Sequence, residues 1–95
     1  MKNYDFRIVK WDIGVDHPIE PSEPLPSMPE DMEPGCLLVL TGRAPIWRYC
    51  MALHQAHGSP AGGIATYDPR LGGYVVVASH RPIWRDGDVV VLQKD

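Results

Sequence analysis

This sequence predicts a small α/β domain, and three stretches carry that prediction. Cys36-Leu37-Leu38-Val39-Leu40 is an unbroken apolar run between Gly35 and Thr41-Gly42. A strand without polar alternation is one buried on both faces, as in the middle of an α/β sheet. After Thr41-Gly42-Arg43-Ala44 the pattern turns helical over residues 45–57: Pro45 suits the first turn, and Gly58 is a natural stop. Two β-prone runs then flank a turn, and a last one follows. The expected order is β, Pro-rich crossover, β, α, β, β, β.

The elements follow in turn. Residues 4–13, rich in aromatic and β-branched side chains, set Phe6, Ile8 and Lys10 against Arg7, Val9 and Trp11, which reads as a strand at an edge or with one face in water. Residues 16–35 hold Pro18, Pro21, Pro24, Pro26, Pro29 and Pro34, alternating with Glu20, Glu23, Glu30, Asp31 and Glu33. Prolines this dense exclude regular helix and central strand, so an extended surface crossover is expected, pinned by Leu25 and Met28, with a short helical turn near 28–32. In the helix, Ile46, Tyr49, Cys50 and Leu53 fall on one face. Ala61-Gly62-Gly63-Ile64-Ala65-Thr66-Tyr67 and Tyr74-Val75-Val76-Val77-Ala78 make two strands, and residues 88–92 make the last, after an Asp86-Gly87 turn. The tetrapeptide Pro-Ile-Trp-Arg occurs at 45–48 and at 82–85 in unlike contexts, a helix start and a loop, and reads as coincidence.

Ninety-five residues suggest one domain, 1–95, with 44% apolar and 22% charged side chains, ordinary for a soluble protein. No run approaches the roughly 20 apolar residues that span a bilayer. The first residues lead into no apolar signal core, so a cytoplasmic protein is expected. Cys36 and Cys50 lack C-x-x-C spacing and read as buried free thiols. The net charge of −3 conceals an asymmetry: −5 through Pro34 and +2 from Gly35 onward, where three of the four histidines also lie. Overall acidity argues against a broad nucleic-acid surface and against DNA, but leaves room for a compact anion held by a few arginines.

Tyr67-Asp68-Pro69-Arg70-Leu71-Gly72-Gly73 is the stretch with most chemistry in it. Pro69 presets φ for a turn, and the paired glycines allow positive φ. A turn does not require an acid and a guanidinium two residues apart. Asp68 can hold a cation while Arg70 fits phosphate oxygens, which would suit a phosphodiester site; equally, Asp68 and Arg70 can pair or cap the turn. The strand–loop–helix start at 36–46 is a place where anions bind, though its glycine content is far below that of a P-loop. His54 and His57 could share a metal or simply favour the helix C-terminus.

Three motifs stand in order: Gly42-Arg43-Ala44-Pro45-Ile46-Trp47, Leu53-His54-Gln55-Ala56-His57, and Tyr67-Asp68-Pro69-Arg70-Leu71-Gly72 with Val75-Val76-Val77 and Ser79-His80 behind it. Together they resemble the small Csx-three family of CRISPR-associated proteins found with type III systems, over about residues 35–92. The resemblance implies a CARF-like, Rossmann-related α/β fold and a homodimer. It implies binding of tetra-adenylate and a manganese-dependent ribonuclease, described both as a ring nuclease degrading cyclic tetra-adenylate and as an exonuclease removing 3′ adenosines from RNA. It also implies a ligand sandwiched between two dimers as a bridged tetramer. Carried over by motif, His57, Asp68, Arg70 and His80 are the catalytic candidates, Asp68, His57 and His80 the Mn²⁺ ligands, and Gly42, Arg43, Ala44 and Pro45 the ligand cradle. The stretch at 82–85 departs from the shorter polar loop of that family.

The chemistry expected is metal-assisted phosphodiester cleavage, with Arg70 stabilising transition-state charge and a histidine as general acid or base. Two other classes compete: a sensor or sponge that binds the cyclic oligoadenylate without cutting it, and a dimeric module whose Pro-rich arm docks a partner.

Overall fold

The computed structural model describes residues 7–91. Its elements are β1 (Ile8–Asp12), β2 (Leu37–Thr41), α1 (Ile46–Ala56), β3 (Gly63–Asp68), β4 (Gly73–Ser79) and β5 (Val89–Val90). The order is the expected one. Tyr4 and Phe6 of the first expected strand and Leu92 of the last lie outside the described residues. The five strands form one sheet in the order β1-β2-β3-β4-β5, with β1, β2 and β3 parallel and β4 and β5 antiparallel.

The unbroken apolar run of β2 has the expected cause. Leu37, Leu38, Val39 and Leu40 are all at 0% exposure, because β2 lies between two strands and is covered on both faces. One face packs Val9, Trp11, Leu38, Leu40 and Ile64 against Ala52 and Ala56 of α1, with Leu25, Met28 and Met32 of the crossover closing the edge. The crossover thus shares a face with α1. Its residues 28–32 contain a turn and no helix, since Pro29 removes a donor within a stretch too short to nucleate one.

The other face carries Leu37, Val39, Ala65, Tyr74, Val76 and Val90, covered by Trp84. Among the described residues a loop, not a second helix layer, seals it. Trp84 lies so close to Gly63 that a Cβ there would stand 2.7 Å from its ring. The two Pro-Ile-Trp-Arg stretches therefore do different work, one opening a helix and one capping a core.

The buried face of α1 differs from the expected one. Arg48, Ala52 and Ala56 are buried, Tyr49 and Leu53 pack partly, while Ile46 is 80% exposed and Cys50 is exposed. Small side chains at i and i+4 let the helix approach the sheet, so packing distance outranks hydrophobicity in choosing the face. Cys36 is buried as expected; Cys50 is not.

A bulge in the β3–β4 hairpin matters for the site. Ile64 pairs with Ala78 but Ala65 pairs with Val76, so Val77 is an extra residue. The side chains of β4 therefore change faces: Tyr74 and Val76 point to the Trp84 core, and Ala78 to the helix side.

Candidate functional site

The parallel strands point their carboxyl ends the same way, and the loops there gather most of the candidate residues. The loop after β2 holds Gly42, Arg43, Ala44 and Pro45. Gly42 has φ 110°, and a Cβ on it would collide with the Asp12 side chain and the Gly14 amide. The loop after β1 presses on it there, and Val15 N–H donates to the Arg43 carbonyl at 2.8 Å. From the helix, Tyr49 O–H donates to the Gly42 carbonyl at 2.5 Å. The loop is thereby held on both sides. Between it and the β3–β4 turn lies an open hollow of about 480 Å³, bordered by Arg43, Ala44, Tyr49, Tyr67 and Pro69.

Asp68 and Arg70 stand at this same end. The Arg70 amide donates to Asp68 Oδ1 at 2.8 Å and the Leu71 amide to the Asp68 carbonyl at 3.2 Å, so Asp68 caps its own turn. Gly72, at φ 65°, supplies the reversal. Gly73 does not use the left-handed region; it is small because Val89 and Val90 lie against it. The Arg70 side chain is exposed and makes no ion pair with Asp68 among the described residues.

The two candidate histidines, His57 and His80, meet at the opposite end of the sheet. His57 caps the C-terminus of α1, and His80 follows β4, its amide bonded to the Gly62 carbonyl at 2.8 Å. Their Nε2 atoms are 3.0 Å apart, with ring centroids at 4.7 Å and planes inclined by 62°. Two nitrogens each about 2.0–2.1 Å from a single ion would be separated by about the same distance. The pair is thus a ready two-imidazole chelate or, without metal, a hydrogen-bonded proton carrier. His54 is not in it: one turn back and exposed, it makes no hydrogen bond or ring contact with the pair among the described residues.

Asp68 lies on the order of 17 Å away from this pair, the length of β3 at about 3.3 Å per residue. Among the described residues no three His, Cys, Asp or Glu side chains converge on one point. A metal held jointly by Asp68, His57 and His80 would need ligands from two chains.

Two residues near the Arg43 loop were not legible as site residues in the sequence. His17 Nδ1 lies 2.7 Å from Asp16 Oδ1, and both border a hollow with Arg43, Ala44 and Pro45. The hydrogen bond to Asp16 raises the imidazole above its ordinary range, and the same bond lowers the carboxyl. Arg48 is buried in the first turn of α1, its Nε donating to the Ile13 carbonyl at 2.8 Å. The available signal was the Arg48, Ala52, Ala56 spacing of i, i+4, i+8.

Residues 12–91 match the model of a family described as CRISPR-associated protein (Cas_csx3). The chain is also 53% identical over 53 residues to an uncharacterized protein of Aquifex aeolicus (strain VF5). That match takes in 56% of this chain and 46% of the Aquifex protein, less than half of the relative's length.

Proposed function

Because the chain belongs to the CRISPR-associated Cas_csx3 family, we propose that it is a metal-dependent ring nuclease that binds cyclic tetra-adenylate and opens it, ending the signal of a type III defence system. On this reading the fold is a reduced CARF-like relative of the Rossmann sheet, with its ligand at the carboxyl ends of the parallel strands. The observation that carries the reading is the division of the candidate residues between two ends. The His57 and His80 imidazoles lie at one end, and the Asp68 and Arg70 turn and the Arg43 loop at the other. Two such ends complete one another when copies stack head to tail, with a cyclic ligand sandwiched between them.

Arg43 and Arg70 would hold the ring's phosphodiesters, and Arg70 would meet the charge that builds on the phosphoryl oxygens in the transition state. One imidazole of the adjoining copy, His57 or His80, would take the proton from the attacking oxygen. As the new P–O bond forms and the old one breaks, it would return a proton to the leaving oxygen. A Mn²⁺ ion, if bound, would be held by Asp68 of one copy with the other of these two imidazoles, and would supply a Lewis acid for the phosphoryl oxygen.

A second reading, a sensor that holds the ligand without cutting it, draws on Asp68 having one oxygen occupied by the Arg70 amide. An exonuclease acting on 3′ adenosines would use the same residues on a linear substrate. One experiment separates these. The purified protein is incubated with cyclic tetra-adenylate, with Mn²⁺ or EDTA, and the products are resolved chromatographically, with a 3′-adenylated RNA in parallel. Linear di-adenylate formed only with metal, over many turnovers, is expected. Intact ligand co-eluting with a larger oligomer would make the chain a sensor, and trimming of the RNA alone an exonuclease.

A further inference from the structure

Among the described residues, no side chain or carbonyl outside the pair holds the His57 and His80 rings. Both residues are exposed, and each imidazole has its one hydrogen bond to the other. A histidine that binds a metal or moves a proton is ordinarily aimed by a carboxylate or carbonyl on its second nitrogen. Here the 3.0 Å between the Nε2 atoms depends instead on the two loops that carry the rings. His57 caps α1 and leads into the loop before β3, while His80 follows β4 and leads into the loop before β5.

Gly35, at the end of the crossover, joins those loops. Its N–H donates to the Pro60 carbonyl at 3.0 Å, in the loop that follows His57. Its carbonyl accepts from Arg81 Nη1 at 2.9 Å, and Arg81 is the residue after His80. The half-buried Arg81 stem reaches Gly35 across Gly62, where a Cβ would stand 2.6 Å from Arg81 Cδ. A Cβ on Gly35, which has φ 81°, would stand 3.3 Å from Arg81 Nη1. Two glycines thus make room for one side chain. The Arg81 Cζ also lies 5.6 Å from the centroid of the Trp84 ring, a cation–π contact that steadies the guanidinium. Arg81 makes no ion pair among the described residues, so its fork serves the Gly35 carbonyl.

We propose that Arg81 is the positioning residue of the histidine pair, fixing the His80 loop against the His57 loop through Gly35. The His80 amide already bonds the Gly62 carbonyl at 2.8 Å. One such tie is a pivot; the Arg81 bond, one residue on, is a second tie that stops the rotation. Ser79 Oγ, donating to the Arg81 carbonyl at 2.7 Å, holds the same stretch from its other side. Two imidazoles that must act on one proton or one ion need a fixed separation, and two exposed rings do not supply it by themselves. That the pair serves phosphodiester cleavage rests on the reading above; its positioning by Arg81 rests on the two hydrogen bonds of Gly35.

The test follows the nuclear Overhauser cross-peak between the His57 and His80 rings in the whole chain without metal. Beside it, kcat and KM are measured with cyclic tetra-adenylate and Mn²⁺. Arg81→Met keeps an unbranched stem over Gly62 and loses the donors. It should lose the cross-peak and lower kcat about 10–100-fold, with KM within about twofold. Arg81→Lys, which restores a donor, should recover the cross-peak and most of the rate. Val76→Ala, which loosens the Trp84 core without touching Gly35, should leave both unchanged. An intact cross-peak in folded Arg81→Met overturns the proposal, as does its loss in Val76→Ala or its absence from the wild-type chain. Should Arg81→Met fail to fold, the wild-type guanidinium decides: separate, slowly exchanging Nη signals are expected, and one averaged signal overturns the proposal. A cross-peak lost with kcat unchanged leaves the positioning standing and removes the pair from the reaction. A wild-type chain that shows the cross-peak and cuts nothing removes the nuclease reading alone.

Discussion

At Asp68 one oxygen serves the turn, so substitutions there combine two effects that chemistry can separate. Asp68→Asn keeps an acceptor for the Arg70 amide and removes the charge; stability should stay within about 0.5 kcal/mol. Asp68→Ala loses the turn bond as well and should cost about 1 kcal/mol in urea denaturation. Both should lose Mn²⁺-dependent cleavage, and a fully active Asp68→Asn would remove the carboxylate from the mechanism. The thiols offer a second residue-scale test. Burial raises the Cys36 thiol above its ordinary range, while Cys50 is exposed on α1, so iodoacetamide should modify Cys50 first and Cys36 only on unfolding. His17 gives the pH dependence. Its imidazole, raised by Asp16, contributes stability fully present below its ordinary value of 6.5 and lost as pH climbs through the folded value. Asp16, lowered by His17, contributes above its ordinary 3.8 and loses that contribution as pH falls through its folded value. Ring-proton titration should show His17 moving down toward 6.5 in Asp16→Asn; no movement would mean the pair is not formed in solution.

Among the elements, α1 is decided by fit and the second core by a loop. Ala52 is fully buried against the sheet, and Ala52→Leu should overpack that contact at a cost of about 1–3 kcal/mol. Ile46→Ser, on the face that hydrophobicity alone selects, should change stability by no more than about 0.5 kcal/mol. If the second substitution proved the costlier, Ile46 would be covered in solution by another chain. Trp84→Ala would uncover Leu37, Val39 and Val76 and should cost about 3–5 kcal/mol. This explains the unusual 82–85 stretch: with no helix on that face among the described residues, a large side chain in the loop closes it.

For the whole molecule, the separation of the two ends along β3 makes the proposed activity a property of an assembly. The rate per chain should fall on dilution. Asp68→Ala and His80→Ala variants, each inactive, should recover part of the activity when mixed, since one retains a complete histidine end and the other a complete Asp68 and Arg70 end. Failure to complement, with both variants folded and oligomeric, would place all the chemistry within one chain and defeat the stacked arrangement.

What the sequence determined by itself was local: β2 from its unbroken apolar run, the limits of α1 from Pro45 and Gly58, the hairpin from Pro69 and Gly72, and the family from three short motifs. Each is a pattern within a few residues, where backbone preference and burial period act directly. The tertiary structure alone decided which of these residues meet. His80 reaches His57 because the extra residue Val77 turns the end of β4 toward the helix; without it His80 would face the Trp84 core. Arg48 is buried and Cys50 is not because alanines at 52 and 56 let α1 settle on one side. Asp68 stands apart from both histidines because β3 runs its full length between them. Register, bulge and helix docking are settled by packing summed over the sheet, and no short stretch of sequence contains that sum.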